Sequence, residues 1–300
     1  MDRDASLELS ARIGAIIAGR APIVRYTDAD VRRAEAECAA DLAEMRGLGL
    51  VGDSFEEYYV IREFLASCGA DRADGHYLLR LFAEARLLDA DEFERDPYLQ
   101  NIAVADDADG DILLTTSSYS RGEIFQYDMP DFAAPLVVPK LGFFTREVRF
   151  PAIYEDGVPW VSVCPSEINS MSPDIPAAHG RVLVLGLGLG YYAYRVSELA
   201  AVDSVTVVEI NPKIAAIFRR RILPQFPHAA KVTVAEADAF DFLASLRGGE
   251  FDFCYADIWE GVLDGARAYL RIKPHEKRLE GTRFRYWIEP QIRAYLGLKR

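Results

Sequence analysis

The chain of 300 residues is long enough for about two domains, at roughly 100–200 residues each. Half of it is apolar and 27% is charged, the balance of a folded chain rather than a disordered one. A net charge of −13 argues against a surface that grips nucleic-acid backbones, and no apolar run approaches the roughly 18 residues of a membrane span.

The apolar stretch Ile13 to Ala18 is short and follows the acids Asp2, Asp4 and Glu8, unlike a signal peptide. Cys38, Cys68, Cys164 and Cys254 are scattered, with no C-x-x-C pair, so neither a zinc site nor a disulfide framework is expected. Without one, the reducing cytoplasm is the default compartment. Arginine far outnumbers lysine, as in chains from GC-rich, bacterial sources. Residues 1–98 hold 12 basic and 21 acidic residues, whereas residues 259–300 hold 10 basic and 5 acidic. That asymmetry reads as internal or subunit pairing, and a homodimer is a candidate assembly.

Residues 1–97 read as a helical domain, with apolar positions recurring at three and four, as in Leu7, Ile13, Ile16 and Ile17. Thr27 or Asp28 caps one helix, and Ser54-Phe-Glu-Glu57 fits a capping box after the punctuation at Gly47, Gly49 and Gly52. A further helix is expected from His76 to Leu88.

Residues 98–172 read as a small antiparallel β-rich region. Asp109-Gly110, Arg121-Gly122 and Asp156-Gly157 mark turns between strand-like runs, and Pro159 places its strand at an edge. From 173 to 300 strands and helices alternate, which implies a parallel sheet with helices on both faces. The strands are expected at Val182–Leu185, Val205–Val208, Val232–Val234 and Phe251–Tyr255. A short fifth lies within Arg283–Ile288, before a helix opened by Pro290.

The first of these strands runs directly into Gly186-Leu187-Gly188-Leu189-Gly190, then a helix from Tyr191. Glycines allow a tight turn and close approach of a ligand, and the helix start offers free N–H groups. Glu209 ends the next strand, where a carboxylate can accept from both ribose hydroxyls; Ile210 follows it. Asp238-Ala239 follows the third strand and Asp257 the fourth. All four features fall on the carboxyl edge, where open α/β sheets bind ligands. Singly, each has a plainer reading: a tight turn, a surface acid, a cap.

The G-x-G-x-G spacing, with acids after the next three strands, resembles the class I S-adenosylmethionine-dependent methyltransferases. The resemblance implies a Rossmann-like core with S-adenosylmethionine as cofactor. Gly186, Leu187, Gly188 and Gly190 would face its methionine part, Glu209 and Ile210 the ribose, and Asp238 with Ala239 the adenine. The β-rich stretch before Val-Leu-x-x-Gly-x-Gly-x-Gly, followed by Val-Glu-Ile-Asn and Phe-Asp-Phe-x-x-x-Asp, resembles the spermidine synthase-like branch over roughly residues 150–258. Pro159 to Asn169 falls where that branch places an active-site segment, making Glu167 and Asn169 pocket candidates. That branch usually continues past the fourth-strand acid to a second aspartate and a proline; here the sequence is Asp257-Ile-Trp-Glu-Gly261.

The expected activity is methyl transfer to a small-molecule acceptor, without nucleic-acid or membrane partners. Asp257 is the candidate base, Glu260 a second, and Tyr191, Tyr192 and Trp259 are walls for a sulfonium. The alternatives are a polyamine aminopropyltransferase-like enzyme, or a non-catalytic binding module. The short run after Asp257 implies a truncated methyltransferase sheet.

Overall fold

A computed structural model describes residues 1–47 and 54–298; the predicted punctuation at Gly49 and Gly52 lies outside the described residues. The chain divides into two compact units, Met1–Glu94 with Ser118–Arg149, and Arg95–Ser117 with Phe150–Arg300. These do not follow the boundaries expected at 97 and 172. The reason is burial: Ile124, Val138, Leu141 and Phe143, read as part of the β-rich region, pack into the apolar cluster of the N-terminal helices with Ile13, Phe64 and Leu81.

The first unit carries helices Arg3–Arg20, Asp28–Glu37, Ala39–Gly47, Phe55–Ser67 and Gly75–Glu84. Thr27 caps its helix in a capping box, taking the Asp30 N–H while Asp30 takes the Thr27 N–H. The second box does not form. Ser54 is the cap residue but makes no side-chain capping bond, and the Glu57 carboxylate accepts the Leu87 N–H at 2.6 Å instead of the cap's own N–H. The helix expected to reach Leu88 stops at Glu84, since Arg86–Leu87 pairs in parallel with Gly142 and Phe143.

The second unit is built on a five-stranded parallel sheet. In spatial order the strands are Val232–Glu236, Val202–Glu209, Gly180–Leu185, Phe253–Ala256 and Arg283–Tyr286. This is an α/β Rossmann-like core, with helices such as Tyr191–Ser197, Ala239–Ser245 and Val262–Arg278 between its strands. Val182 to Leu185 are all buried, as a strand covered on both faces requires. The chain leaves Gly180–Leu185 for one side of the sheet and returns to Phe253–Ala256 on the other. Their shared carboxyl end is a switch point, the usual ligand crevice of such sheets. The helix Glu289–Tyr295 carries Pro290 in its first turn.

A separate four-stranded sheet has the order Asp107–Asp109, Ile112–Tyr119, Val148–Glu155, Val158–Ser162. Asp156 (φ 51°) and Gly157 (φ 77°) both take positive φ, the geometry of a tight two-residue hairpin turn. Val158–Ser162 is an edge strand, as Pro159 requires.

Candidate active site

At the carboxyl end of strand Gly180–Leu185 the chain turns through Gly186 at φ +93°. A Cβ at that position would collide with the Asp257 carbonyl oxygen, while the Asp257 N–H donates to the Leu185 carbonyl at 2.8 Å. The first glycine is therefore demanded by the neighbouring strand. Gly190, at φ +75°, begins helix Tyr191–Ser197 with no room for a Cβ against the Phe218 ring. Gly190 does not line the cavity; its part is to let the helix start there.

Glu209 is buried at the tip of its strand. Oε2 accepts the Leu187 N–H at 3.1 Å, and Oε1 accepts the Asn211 N–H at 2.7 Å. One carboxylate thus ties the glycine turn to the second strand. With the Ile210 N–H also directed at it, the carboxylate keeps at least one lone pair for a ligand hydroxyl. Burial raises its pKa, and these N–H donors oppose the rise. Asp238 caps helix Ala239–Ser245, accepting from the N–H groups of Phe240 and Asp241. Both bonds fall on Oδ1, which leaves Oδ2 for another donor.

These elements enclose a cavity of about 580 Å³. Gly186, Leu187, Gly188, Glu209, Ile210 and Asp238 line it, as does Ala239. Asp257, Glu260, Tyr191, Tyr192, Trp259 and Glu167 reach it as well. Asn169, predicted beside Glu167, is exposed and does not line the cavity. The short helix Pro165–Met171 turns the two side chains to different surroundings.

The electrostatics of the cavity are one-sided. Among the described residues, seven that line it are acidic and none is Lys, Arg or His. Burial pushes Glu167 up to about 7. Asp257 is raised well above the usual carboxylate range, by burial first and by the Glu167 charge second. Glu260, predicted as a second catalytic acid, is exposed at the rim, its backbone N–H bonded to the Asp264 carboxylate at 2.8 Å.

Aromatic walls complete the site. Tyr192 stacks on Tyr255 with ring centroids 3.7 Å apart. Tyr191 donates its hydroxyl to Asp96 at 3.0 Å, and Arg195 donates to the same oxygen at 2.9 Å. Trp160 and Trp287 also line the cavity. Tyr255 was missed by sequence reasoning, because it lies inside a strand that reads as uniformly apolar. The available signal was its position two residues before Asp257, which puts both on one face of the strand. Among the described residues, the buried Tyr255 hydroxyl and Trp259 Nε1 have no hydrogen-bond partner.

No family model matches the chain. An 81-residue segment is 31% identical to a polyamine aminopropyltransferase of Vibrio vulnificus, covering 27% of this chain and 27% of that protein. The chain thus matches about a quarter of the length of that relative. Among solved structures, a probable spermidine synthase from Corynebacterium glutamicum is similar over 53% of each chain, at 16% identity and a TM-score of 0.34. The spermidine synthase of Thermotoga maritima is similar over 49% of this chain and 56% of its own, at 13% identity and a TM-score of 0.35.

The segment match corrects the expectation of S-adenosylmethionine as cofactor. The relative is named for aminopropyl transfer. In that reaction an adenosyl sulfonium without its carboxylate gives up part of itself, and so is a substrate rather than a cofactor.

Proposed function

We propose that the protein transfers an aminopropyl group from decarboxylated S-adenosylmethionine to an amine. The observation that carries this reading is the sign of the cavity: among the described residues, its charged lining is wholly acidic. A ligand bearing a sulfonium and an ammonium gains from every carboxylate there, whereas a pyrophosphate or a free carboxylate is repelled. The segment shared with a polyamine aminopropyltransferase supports the same reading over methyl transfer.

In this reading the turn at Gly186–Gly188 leaves space for the sulfonium end, Glu209 accepts from the ribose hydroxyls, and Asp238 offers Oδ2 to the adenine amino group. Tyr191, Tyr192 and Trp259 exclude water and present ring faces to the cations. The amine nitrogen attacks the methylene carbon next to sulfur. The C–S bond breaks, its electron pair stays on sulfur, and a neutral thioether leaves. The protein's task is alignment, dehydration and removal of a proton from the amine.

The test is titration calorimetry with decarboxylated and intact S-adenosylmethionine, joined to a turnover assay with diamines and triamines. The decarboxylated donor should bind at least tenfold more tightly, about 1.4 kcal/mol. Release of 5′-methylthioadenosine should require an amine. Tighter binding of the intact compound, with a methylated product, would return the assignment to methyl transfer.

A further inference from the structure

The site contains two carboxyls with no protein counter-charge. Among the described residues, no donor is recorded on the side chain of Glu167 or of Asp257, and each is perturbed by burial rather than by a partner. Both line one cavity, and Asp257 lies within the field of Glu167. The Tyr255 hydroxyl is fully buried, lacks a partner, and lies within the field of both acids. The three groups come from different parts of the chain: Glu167 from helix Pro165–Met171, Tyr255 and Asp257 from the fourth strand and its tip.

We propose that the Glu167 carboxylate, set beside Asp257 and the unpartnered Tyr255 hydroxyl, takes the proton from a primary ammonium group of the acceptor. The proposal rests on the aminopropyl-transfer reading and adds the identity of the base.

Two unpaired carboxyls lining one cavity cannot both ionise cheaply, so one keeps its proton and the other is the base. We assign the retained proton to Asp257, which burial and the Glu167 charge both raise well above the usual carboxylate range. Glu167, near 7, is basic enough to accept a proton and still ionised in part at neutral pH. Glu260 holds the position of a second acid in the sequence, but it is exposed at the rim, where water competes for the amine. Of the other lining acids, Glu155 ends strand Val148–Glu155, and three have tasks of their own. Glu209 is bonded to the backbone of the glycine turn, Asp238 caps a helix, and Asp264 bonds the N–H groups of Glu260 and Gly261. Asp174, which lies outside the cavity lining, is bridged to Arg285 at 3.2 Å. Tyr192 donates its hydroxyl to the Asp174 carbonyl.

The step balances. The acceptor R–NH3⁺ gives one proton to the Glu167 carboxylate, which becomes the acid. The freed nitrogen lone pair forms the C–N bond as the C–S pair moves to sulfur, leaving a secondary ammonium and a neutral thioether. Tyr255, kept protonated by burial, donates a hydrogen bond within this subsite and acts as a positioning residue.

The experiment compares the full chain with Glu167→Gln, Glu167→Asp and Glu260→Gln, using decarboxylated S-adenosylmethionine with a diamine over pH 6–10, and measures 5′-methylthioadenosine affinity by calorimetry. Glu167→Gln should lower kcat at least 100-fold at pH 7 while product affinity stays within threefold. Its residual rate should climb with pH as free amine becomes available. Glu167→Asp should retain the wild-type pH profile at reduced kcat, which also covers failure of the glutamine variant to fold. Glu260→Gln should raise KM and leave the pH profile in place. The proposal is overturned if Glu167→Gln keeps kcat and the wild-type profile, or if the profile changes in Glu260→Gln instead. A wild-type chain that binds the donor but uses no amine would defeat the functional reading itself, and the base assignment with it.

Discussion

The Tyr98 hydroxyl donates to the Leu189 carbonyl at 2.6 Å, from a side chain with no exposed surface. The glycine turn is thus braced by a residue about 90 positions earlier. The same short segment supplies Asp96 to Tyr191 and Arg195, and Asn101 to the Tyr194 hydroxyl at 2.8 Å. The Tyr98 ring meets those of Tyr191 and Tyr194 at 5.6 and 5.3 Å.

Tyr98→Phe removes that bond and leaves a buried carbonyl short of a donor. Unfolding in urea should show a loss of about 1–2 kcal/mol, and affinity for the adenosyl donor should fall with it as the turn loosens. An unchanged midpoint together with unchanged affinity would show that the brace does nothing.

Glu209→Ala frees the Leu187 and Asn211 N–H groups and removes the proposed ribose acceptor. Donor affinity should drop by about 1–3 kcal/mol, read by calorimetry on a variant whose circular dichroism is native. Glu209→Gln, which keeps one acceptor oxygen, should fall between. Retained affinity in the alanine variant would remove the ribose from this residue.

The glycines of the turn should differ sharply. Gly186→Ala drives a Cβ into the Asp257 carbonyl and should give insoluble or unfolded protein. At Gly188 the nearest atom to a Cβ is the Val161 methyl carbon, 3.2 Å away, and φ is +52°. Gly188→Ala should therefore fold with a loss of about 1 kcal/mol. Equal solubility of the two variants would contradict the close approach at Gly186.

The raised pKa of Glu167 links stability to pH in a defined direction. The folded chain holds this proton up to about 7, whereas the unfolded carboxyl releases it near its ordinary value of 4.5. Stability should therefore decline as pH rises from about 4.5 to 7 and level off above. Glu167→Gln should flatten that decline by up to about 3 kcal/mol, with Asp257 contributing the same sign. Denaturant midpoints at pH 5 and pH 8 decide it; equal slopes for both proteins would show that Glu167 is not buried as described.

The two caps in the first unit provide an internal control. Thr27→Ala should cost about 1 kcal/mol, because its hydroxyl accepts the Asp30 N–H. Ser54→Ala should cost close to nothing, since that side chain makes no capping bond. Thermal melts of the two variants separate them.

The core strands and their acidic tips were legible in the sequence because they rest on local chemistry. Continuous apolar runs, a glycine turn and an acid after each of the next three strands are short-range patterns, and the parallel sheet follows from their alternation. The hairpin at Asp156-Gly157 was equally local, for its two positive φ values need those residue types. What the sequence could not show is which distant groups meet. Glu57 satisfies the Leu87 N–H instead of its own helix, and the strands of residues 118–149 join the core of the N-terminal helices. Glu167 reaches the cavity while Asn169, two residues on, does not. Local propensity depends on neighbours a few residues away, whereas burial depends on the whole packing of the chain. The ionisation of Glu167 and Asp257, and with it the division of labour between them, exists only after folding has removed water from around both.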